Sequence, residues 1–287
     1  MRFHQLGLLV LLSIFAVGAC VSNQAERTEE IQTQKVERSL TDIGVQLYTV
    51  RAELAQDFEG TLKRIAEMGY TQVEFAGLYK REPEDIKVLI DEFGLDAVSM
   101  HVQLSSIRND PNGVIDDAKA LGVDFVVLPF LPPLFGNNDP AKWNDWIDTM
   151  NAFGRKASEH GLSFAYHNHA FEFEPNDGVS LYDAMFERID REHVQFELDL
   201  YWVAKAGYDP RQYFDAYPGG FPLFHVKDMG GERNEIVDVG DGVIKFAEIF
   251  ELNGVSGARY FIVEHDNSDD PMATLERSIQ HLQDLRF

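Results

Sequence analysis

Residues 163–174 read Ser-Phe-Ala-Tyr-His-Asn-His-Ala-Phe-Glu-Phe-Glu, so an apolar run leads into two imidazoles and two carboxylates. An apolar strand that becomes polar at its carboxyl end is typical of a site built on a barrel or an open α/β sheet. His167 and His169 lie two residues apart, so on a strand they share one face. Glu172 follows three residues later, close enough to fold back over the same opening.

Three later strand-like runs end in the same way, each with a side chain that can bind a metal ion. The residues at these ends are Asp199, His225 and Glu264. We therefore expect four strand ends to converge on one divalent metal ion. Carboxylate and imidazole donors together suit Mn, Mg, Co or Zn. The folded region contains no cysteine, which excludes a soft thiolate site.

Short β-like runs alternate with helical patterns along the rest of the chain. Eight strands are predicted, at residues 43–48, 71–75, 95–102, 123–128, the start of 163–174, 194–198, 223–226 and 260–264. Helical spacing predicts helices at 58–68, 82–93, 113–121, 140–160, 181–189, 210–217, 244–253 and 271–285. Eight such units predict an α/β fold, a single (β/α)8 TIM barrel within residues 42–287. An open doubly wound sheet is disfavoured, because no glycine-rich phosphate fingerprint follows the first strand.

The first 41 residues carry the features of an exported protein. Residues 1–19 combine a basic start with a short apolar run, which predicts a signal peptide. Small residues precede Cys20, the only cysteine, and this pattern resembles the lipobox of bacterial lipoproteins. We expect Cys20 to be lipidated and residues 20–41 to form a disordered tether, with an ordinary secretory signal as the alternative. Val21 resembles the pattern sorted to the outer membrane, so we expect a lipid-anchored enzyme facing the periplasm.

The charge of the chain limits its partners. A formal net charge of -23 argues against nucleic acid, because phosphate contacts need Lys and Arg. We therefore expect no nucleic acid as partner, and contact with a membrane only through the lipid anchor. The oligomeric state does not follow from the sequence.

Several pieces of the chain resemble the xylose-isomerase-like TIM barrels, the sugar phosphate isomerase/epimerase superfamily, over nearly all of residues 42–287. Each piece is short, but they occur in the right order on the right elements. They are Gly44-Val45-Gln46-Leu47-Tyr48, Val73-Glu74-Phe75-Ala76-Gly77, Tyr166-His167-Asn168-His169, Asp199-Leu200-Tyr201-Trp202, His225-Val226-Lys227-Asp228, Val239-Gly240-Asp241-Gly242 and Val263-Glu264-His265-Asp266.

The resemblance implies one divalent ion, held by Glu, Asp, His and Glu on the fifth to eighth strands. The last three positions match Asp199, His225 and Glu264. At the first position many relatives have Glu-Asn-His, whereas this chain has His-Asn-His. Either His167 is the fourth ligand or Glu172 reaches in from the loop, and the sequence leaves both open.

The resemblance also implies an isomerase or epimerase that acts on a small sugar through an enediolate. Acidic residues surround the glycines and the single Arg at residues 230–233, which argues against a phosphate site, so we expect a non-phosphorylated sugar or keto-sugar. Glu264 is then both ligand and base, and His167 or His169 is the second proton-transfer group. Lys227 is a further candidate catalytic group. An alternative is a keto-glycoside lyase or dehydratase at the same site, and another is a non-catalytic sugar-binding lipoprotein. The candidate substrate contacts are Gln46, Glu74, His101 and Trp202.

Overall fold

Eight parallel strands close into a barrel in the computed structural model, which describes residues 37–131 and 139–287. Each strand pairs with its neighbours in chain order, and the last pairs with the first at Ile262 and Gly44. The predicted (β/α)8 barrel is therefore confirmed. The strands are β1 Gly44–Gln46, β2 Gln72–Phe75, β3 Asp96–His101, β4 Phe125–Leu128, β5 Ser163–His167, β6 Gln195–Asp199, β7 Leu223–Val226 and β8 Tyr260–Val263.

Helices connect the strands, and local capping residues set their ends. The first long helix ends at Gly69, whose φ of 102° lies in the left-handed region that glycine adopts without strain. Asp139 begins the longest helix by accepting a hydrogen bond from the Ala141 N–H. The α-helices are Arg51–Gln56, Phe58–Met68, Pro83–Phe93, Leu104–Asn109, Pro111–Leu121, Pro140–Glu159, Leu181–Arg188, Leu200–Lys205, Arg211–Ala216, Phe246–Phe250, Asn253–Ser256 and Pro271–Asp284, with 3-10 turns at Leu47–Val50 and Phe171–Phe173.

Three helices of six residues lie where the sequence pattern predicts none. They are too short to show a helical repeat. The helix Leu200–Lys205 begins immediately after β6 because Asp199 ends the strand and also caps the helix, accepting a hydrogen bond from the Trp202 N–H at 3.0 Å. The other two are Arg51–Gln56 and Leu104–Asn109.

The barrel interior changes from apolar to ionisable along its axis. Its amino-terminal part holds a small apolar cluster of Val98, Phe125, Val127, Ala165, Leu223 and Ile262. Inward side chains recur every second residue. The next inward positions after Leu223 and Ile262 are therefore His225 and Glu264. The ionisable residues consequently collect at the carboxyl ends of the strands, where TIM barrels carry their active sites.

The two ends of the described domain meet at one place. The Arg38 N–H donates a hydrogen bond to the Phe287 carbonyl at 2.7 Å, and the Phe287 N–H donates one back at 3.0 Å. The Arg38 guanidinium also donates to Asn253 Oδ1 at 2.8 Å. Residues 38–287 form one compact unit. Residues 38–41, predicted as the end of the tether, thus contact the domain.

The predicted signal peptide, Cys20 and residues 21–36 lie outside the described residues. Export and lipidation therefore stay predictions. Within residues 37–131 and 139–287, no helix is both long and apolar enough to cross a membrane.

Gly154 provides a test of how tightly the helix Pro140–Glu159 packs on the barrel. A Cβ at Gly154 would lie 2.5 Å from the backbone carbonyl oxygen of His193. Backbone cannot move aside cheaply, so we expect Gly154→Ala to lower the free energy of unfolding by about 1–3 kcal/mol in urea titrations. Gly254→Ala is the matched control, because its Cβ would meet nothing within 4 Å. Equal losses in both variants would contradict this account of the packing.

Candidate metal centre and active site

Four ionisable side chains meet at the carboxyl end of the barrel, and we call them the upper group. Each offers one donor atom, and these atoms lie within 4.8 Å of one another. His167 closes β5, Asp199 closes β6 and His225 is the third residue of β7. Glu264 directly follows β8, and all four residues are buried.

Two ring nitrogens of the upper group are buried without hydrogen-bond partners among the described residues: His167 Nδ1 and His225 Nδ1. His225 Nδ1 and Glu264 Oε2 lie 2.9 Å apart but outside hydrogen-bond geometry. Each such atom costs roughly 1–3 kcal/mol, and a cation between them would remove that cost. Two carboxylates and two imidazoles suit a divalent transition metal. The upper group could therefore hold a metal ion.

Lys227 places a buried ammonium beside this group. Its Nζ lies 3.0 Å from Asp199 Oδ2, 2.7 Å from Glu264 Oε2 and 2.9 Å from Asp266 Oδ1. Burial lowers the pKa of Lys227, but the three carboxylates raise it further, and the net pKa lies well above the usual value. The imidazoles of His225 and His167 lie 2.9 Å and 3.3 Å from two of these carboxylates, those of Glu264 and Asp199.

A second set of side chains, which we call the lower group, lies one layer nearer the apolar cluster. It consists of Glu74, His101, Glu197 and His225, so His225 belongs to both groups. His225 Nε2 lies 2.6 Å from Glu74 Oε1 and 3.2 Å from Glu197 Oε2. His101 Nε2 lies 3.0 Å and 3.1 Å from the same two oxygens. Most polar atoms of the lower group are thus paired with one another.

The lower group fixes the orientation of His225. With Nε2 against two carboxylates, the ring turns Nδ1 toward Glu264 and the upper group. Burial lowers the pKa of His225, but Glu197, Glu264 and Glu74 raise it more, so the net pKa lies well above the usual value. Such carboxylate–histidine pairs orient metal ligands and raise their basicity. We therefore expect the lower group to position His225 rather than to bind the ion.

Glu197 is a site residue that the sequence analysis does not identify. It lies inside an apolar run, Val194-Gln195-Phe196-Glu197-Leu198, which predicts a strand and draws attention only to the Asp199 at its end. Its distance from Asp199 along the strand could have identified it. Glu197 and Asp199 are two residues apart on one strand, so both side chains face the barrel axis.

Gln46 and Glu74, predicted to contact substrate, lie below the pocket instead. Both are fully buried, and Gln46 Nε2 donates a hydrogen bond to Glu74 Oε1 at 2.6 Å. The Ser99 hydroxyl donates to the other Glu74 oxygen at 2.5 Å. Burial raises the pKa of Glu74, but His101 and His225 lower it more, and the net pKa lies well below the usual value. Glu74 is therefore a charged interior partner of the histidines.

A pocket of about 310 Å³ opens above the upper group. His101, predicted as a substrate contact, lies on its wall, as do the predicted catalytic residues. The Glu74 and Glu197 carboxylates raise the pKa of His101 to about 9, against the lowering effect of burial. The lining is Tyr48, Ala76, His101, Gln103, Pro129, Phe130, His167, His169, Lys227, Glu264 and Asp266.

His169 contributes a neutral imidazole to this wall. Burial, with His167 and Lys227 nearby, holds the pKa of His169 well below its usual value. Its Nδ1 is buried without a hydrogen-bond partner among the described residues. The indole of Trp202, predicted as a substrate contact, lies 5.3 Å from the His169 ring, centroid to centroid. Trp202 does not line the pocket itself but the cavity beside it.

Glu172 does not belong to the upper group. The member that comes from the fifth strand is His167. The carboxylate of Glu172 accepts hydrogen bonds from the Tyr166 hydroxyl at 2.5 Å and the His169 N–H at 2.9 Å. These bonds turn it away from the upper group and hold the loop after β5. Burial raises the pKa of Glu172 to about 8, although the two donors lower it.

The raised pKa of Glu172 predicts a pH-dependent stability. In the unfolded chain this carboxyl ionises above about pH 4.5, whereas in the folded protein it stays protonated up to about pH 8. The folded state thus binds the extra proton, and its stability falls as the pH rises between these values. Glu172→Gln cannot ionise, so we expect it to lose less stability than the wild type between pH 5 and pH 9. The difference should reach several kcal/mol, at about 1.4 kcal/mol per pKa unit, in urea titrations.

Parallel stability curves for the wild type and Glu172→Gln would contradict this reading. Glu174→Gln is a matched control, because Glu174 lies at the protein surface two residues further on. We expect its stability to follow the wild type across the same pH range.

Two curated proteins and one solved structure are similar to this chain. An inosose dehydratase of Geobacillus kaustophilus is 20% identical over 229 residues, which cover 66% of this chain and 73% of that protein. An inosose dehydratase of Bacillus thuringiensis is 26% identical over 159 residues, 46% of this chain and only 51% of that protein. The structure of a sugar phosphate isomerase/epimerase from Parabacteroides distasonis has a TM-score of 0.74 and 26% identity, covering 86% of this chain and 94% of that one.

The family match extends over most of the barrel. The model of the xylose isomerase-like TIM barrel family matches residues 62–285, from the first long helix to the end of the last one. It includes all four members of the upper group and the whole lower group. The chain therefore belongs to the xylose isomerase-like TIM barrel family.

Proposed function

We propose that the protein is a divalent-metal-dependent lyase that removes an oxygen leaving group from a keto-sugar or keto-cyclitol. The observation that carries the proposal is the buried upper group at the floor of a pocket with further imidazole and ammonium groups on its wall. The two inosose dehydratases support elimination over isomerisation. The sequence alone favours an isomerase or epimerase over a lyase, whereas these two relatives favour the lyase.

The upper group would hold the ion, which would supply a Lewis acid that polarises the substrate carbonyl. The protein then has two proton transfers to perform. A base removes the proton from the carbon next to the carbonyl, and the released electron pair forms a carbon–carbon double bond. The bond to the leaving oxygen breaks, and that oxygen receives a proton. Proton and leaving group together balance the step without an oxidant or reductant.

Three side chains on the pocket wall are placed to exchange protons with a substrate: Glu264, His169 and Lys227. Glu264 and Lys227 form an ion pair at 2.7 Å. His169 Nδ1 has no hydrogen-bond partner among the described residues. We assign His169 the proton of the substrate carbon, because its imidazole is neutral and lines the pocket, and Lys227 the contact with a substrate oxygen.

The charge of the pocket favours an uncharged substrate. Lys227 is the only Lys or Arg among the described residues that line it. Asp199, Glu264 and Asp266 surround that ammonium. A phosphate would therefore lie beside three carboxylates, where repulsion opposes its binding. The proposed substrates are accordingly non-phosphorylated.

An isomerase or epimerase acting on the same substrates is the second candidate. It is supported by the Parabacteroides distasonis protein, which bears that name and aligns over 86% of this chain. The first proton transfer would be the same. The two reactions differ in the next step, because an isomerase or epimerase returns a proton to the substrate and loses no leaving group.

Metal content tests the upper group. Asp199→Asn keeps an oxygen that can cap the helix Leu200–Lys205 but loses the charge. We expect this variant to bind Mn at least about tenfold more weakly than the wild type, measured by calorimetry on metal-stripped protein. Glu172→Gln is the control and should bind Mn as the wild type does. Unchanged Mn affinity in Asp199→Asn would remove the basis of the metal site, and a loss in Glu172→Gln would return Glu172 to the ligand set.

Product analysis separates the candidate activities. With Mn in heavy water, a lyase should convert inosose or a 3-keto-glucoside to an unsaturated ketone, seen by its ultraviolet absorption. An isomerase or epimerase should instead incorporate deuterium next to the carbonyl with the leaving oxygen retained. Neither an unsaturated ketone nor deuterium in the recovered substrate, for every compound that binds, would favour a non-catalytic sugar-binding protein.

Substitution of His169 tests its assigned role. We expect His169→Gln to lower kcat by about 10²–10⁴-fold, the usual contribution of a positioned acid or base. His160→Gln, at an exposed position on the protein surface, is the matched control and should keep wild-type kcat. Wild-type turnover in His169→Gln would assign the proton transfer to Glu264 or Lys227.

A further inference from the structure

A larger cavity of about 730 Å³ lies beside the pocket, and we call it the outer cleft. The segments that follow β6, β7 and β8 form its walls. It has more than twice the volume of the pocket above the upper group. Its walls include Tyr201, Trp202, Arg233, Asn234, Asp266 and Asn267.

The outer cleft adjoins the catalytic pocket. Asp266 lines both cavities, and its carboxylate lies 2.9 Å from the Lys227 Nζ. Trp202 lines the outer cleft, while its ring lies 5.3 Å from the ring of His169 in the pocket. A molecule whose reacting unit occupies the pocket can therefore extend past this boundary into the outer cleft.

The walls of the outer cleft have the chemistry of a sugar site. Tyr201 and Trp202 offer aromatic surface, and amides and carboxylates offer hydrogen-bond partners. The indole Nε1 of Trp202 is buried without a partner among the described residues. A ligand hydroxyl within reach would satisfy that donor.

The balance of charge in the outer cleft disfavours an anionic ligand. Acidic residues on its wall outnumber Lys and Arg, at Glu235, Asp238, Asp266, Asp269 and Asp270. The Arg277 guanidinium is already paired with Asp238. A phosphate or carboxylate group would meet net negative charge there. The walls suit an uncharged, hydroxyl-rich ligand.

Internal hydrogen bonds hold one wall in place without a ligand. The Tyr201 hydroxyl donates to the Asn234 carbonyl at 2.9 Å, and Lys205 Nζ donates to the Tyr201 oxygen at 2.9 Å. At the base of the same loop, the Asp228 carboxylate accepts hydrogen bonds from four backbone N–H groups, at Met229, Gly240, Gly242 and Ile244. A wall formed in advance loses little conformational entropy on binding.

We propose that the outer cleft is a second subsite, which binds an uncharged sugar joined through a glycosidic oxygen to the keto-sugar in the pocket. This rests on the proposed lyase function and identifies its leaving group as a saccharide rather than water. With the ketone at C3, the proton leaves C2, the C1–O bond breaks and a C1–C2 double bond forms. The departing oxygen takes a proton and leaves as the free second sugar, so the step balances without a co-reactant.

The test compares leaving groups on the Mn-loaded protein. The probes are methyl 3-keto-glucoside and a panel of glucosyl-glucose disaccharides of different linkage, each with the ketone at C3 of the non-reducing unit. We expect at least one disaccharide to bind about tenfold or more tightly than the methyl compound, as measured by calorimetry. Its kcat/KM should be higher by a similar factor. Equal affinity for the methyl compound and every disaccharide would overturn the subsite.

Variants locate the preference. Asn267→Trp fills the outer cleft from an exposed position and should reduce the disaccharide preference to within about twofold while the methyl compound is bound as before. Asp269→Trp, on the same wall, replaces it if thermal unfolding shows that the first variant does not fold. Asn112→Trp, exposed at the start of another helix, is the matched control and should keep the preference. A preference that survives in both cleft variants would overturn the proposal.

The two proposals fail in different ways. In one outcome a disaccharide binds more tightly than the methyl compound, Asn267→Trp abolishes this preference, and no probe is turned over. That outcome would remove the lyase function and keep the subsite. Elimination of methanol from the methyl compound, with no preferred disaccharide, would keep the lyase function and remove the subsite.

Discussion

The imidazole of His225 has two nitrogens, and the site depends on each of them facing a different set of carboxylates. Nε2 lies between Glu74 and Glu197, which favour a proton on that nitrogen. Nδ1 is thereby directed toward Glu264 in the upper group. Because the ring is held from below, Nδ1 is fixed in position toward the upper group. Carboxylate partners of this kind orient metal-ligating histidines and raise their basicity.

Burial of so many charges at one end of a barrel is tolerated only because they are arranged in layers. The lower group pairs two carboxylates with two imidazoles, and Lys227 in the layer above pairs with three carboxylates. Removal of one member of a buried ionic set is costly, since it leaves its partner charged and desolvated. Lys227 and His225 share the carboxylate of Glu264, which belongs to the upper group. Stability and ligand affinity therefore depend on the same side chains.

The fold followed from the sequence because eight alternations of strand and helix leave few ways to close a sheet. Asp199, His225 and Glu264 were also accessible to prediction, since each ends a strand-like run. The place of Glu172 was not, because it depends on hydrogen bonds from Tyr166 and the His169 backbone that no spacing reveals. The layer in which a side chain lies along the barrel axis is equally hidden from the sequence. Gln46 and Glu74 were therefore expected on the pocket wall and lie beneath it.

The backbone pairing of Arg38 with Phe287 places both residues at the end of the barrel opposite the site. Both residues lie beside Asn253, Arg259 and Phe261, at the end of the barrel where β8 begins, whereas the upper group lies where β8 ends. The described domain therefore begins and ends at the base of the barrel, away from the upper group. A label or fusion joined next to either of these residues would leave the mouth of the barrel open.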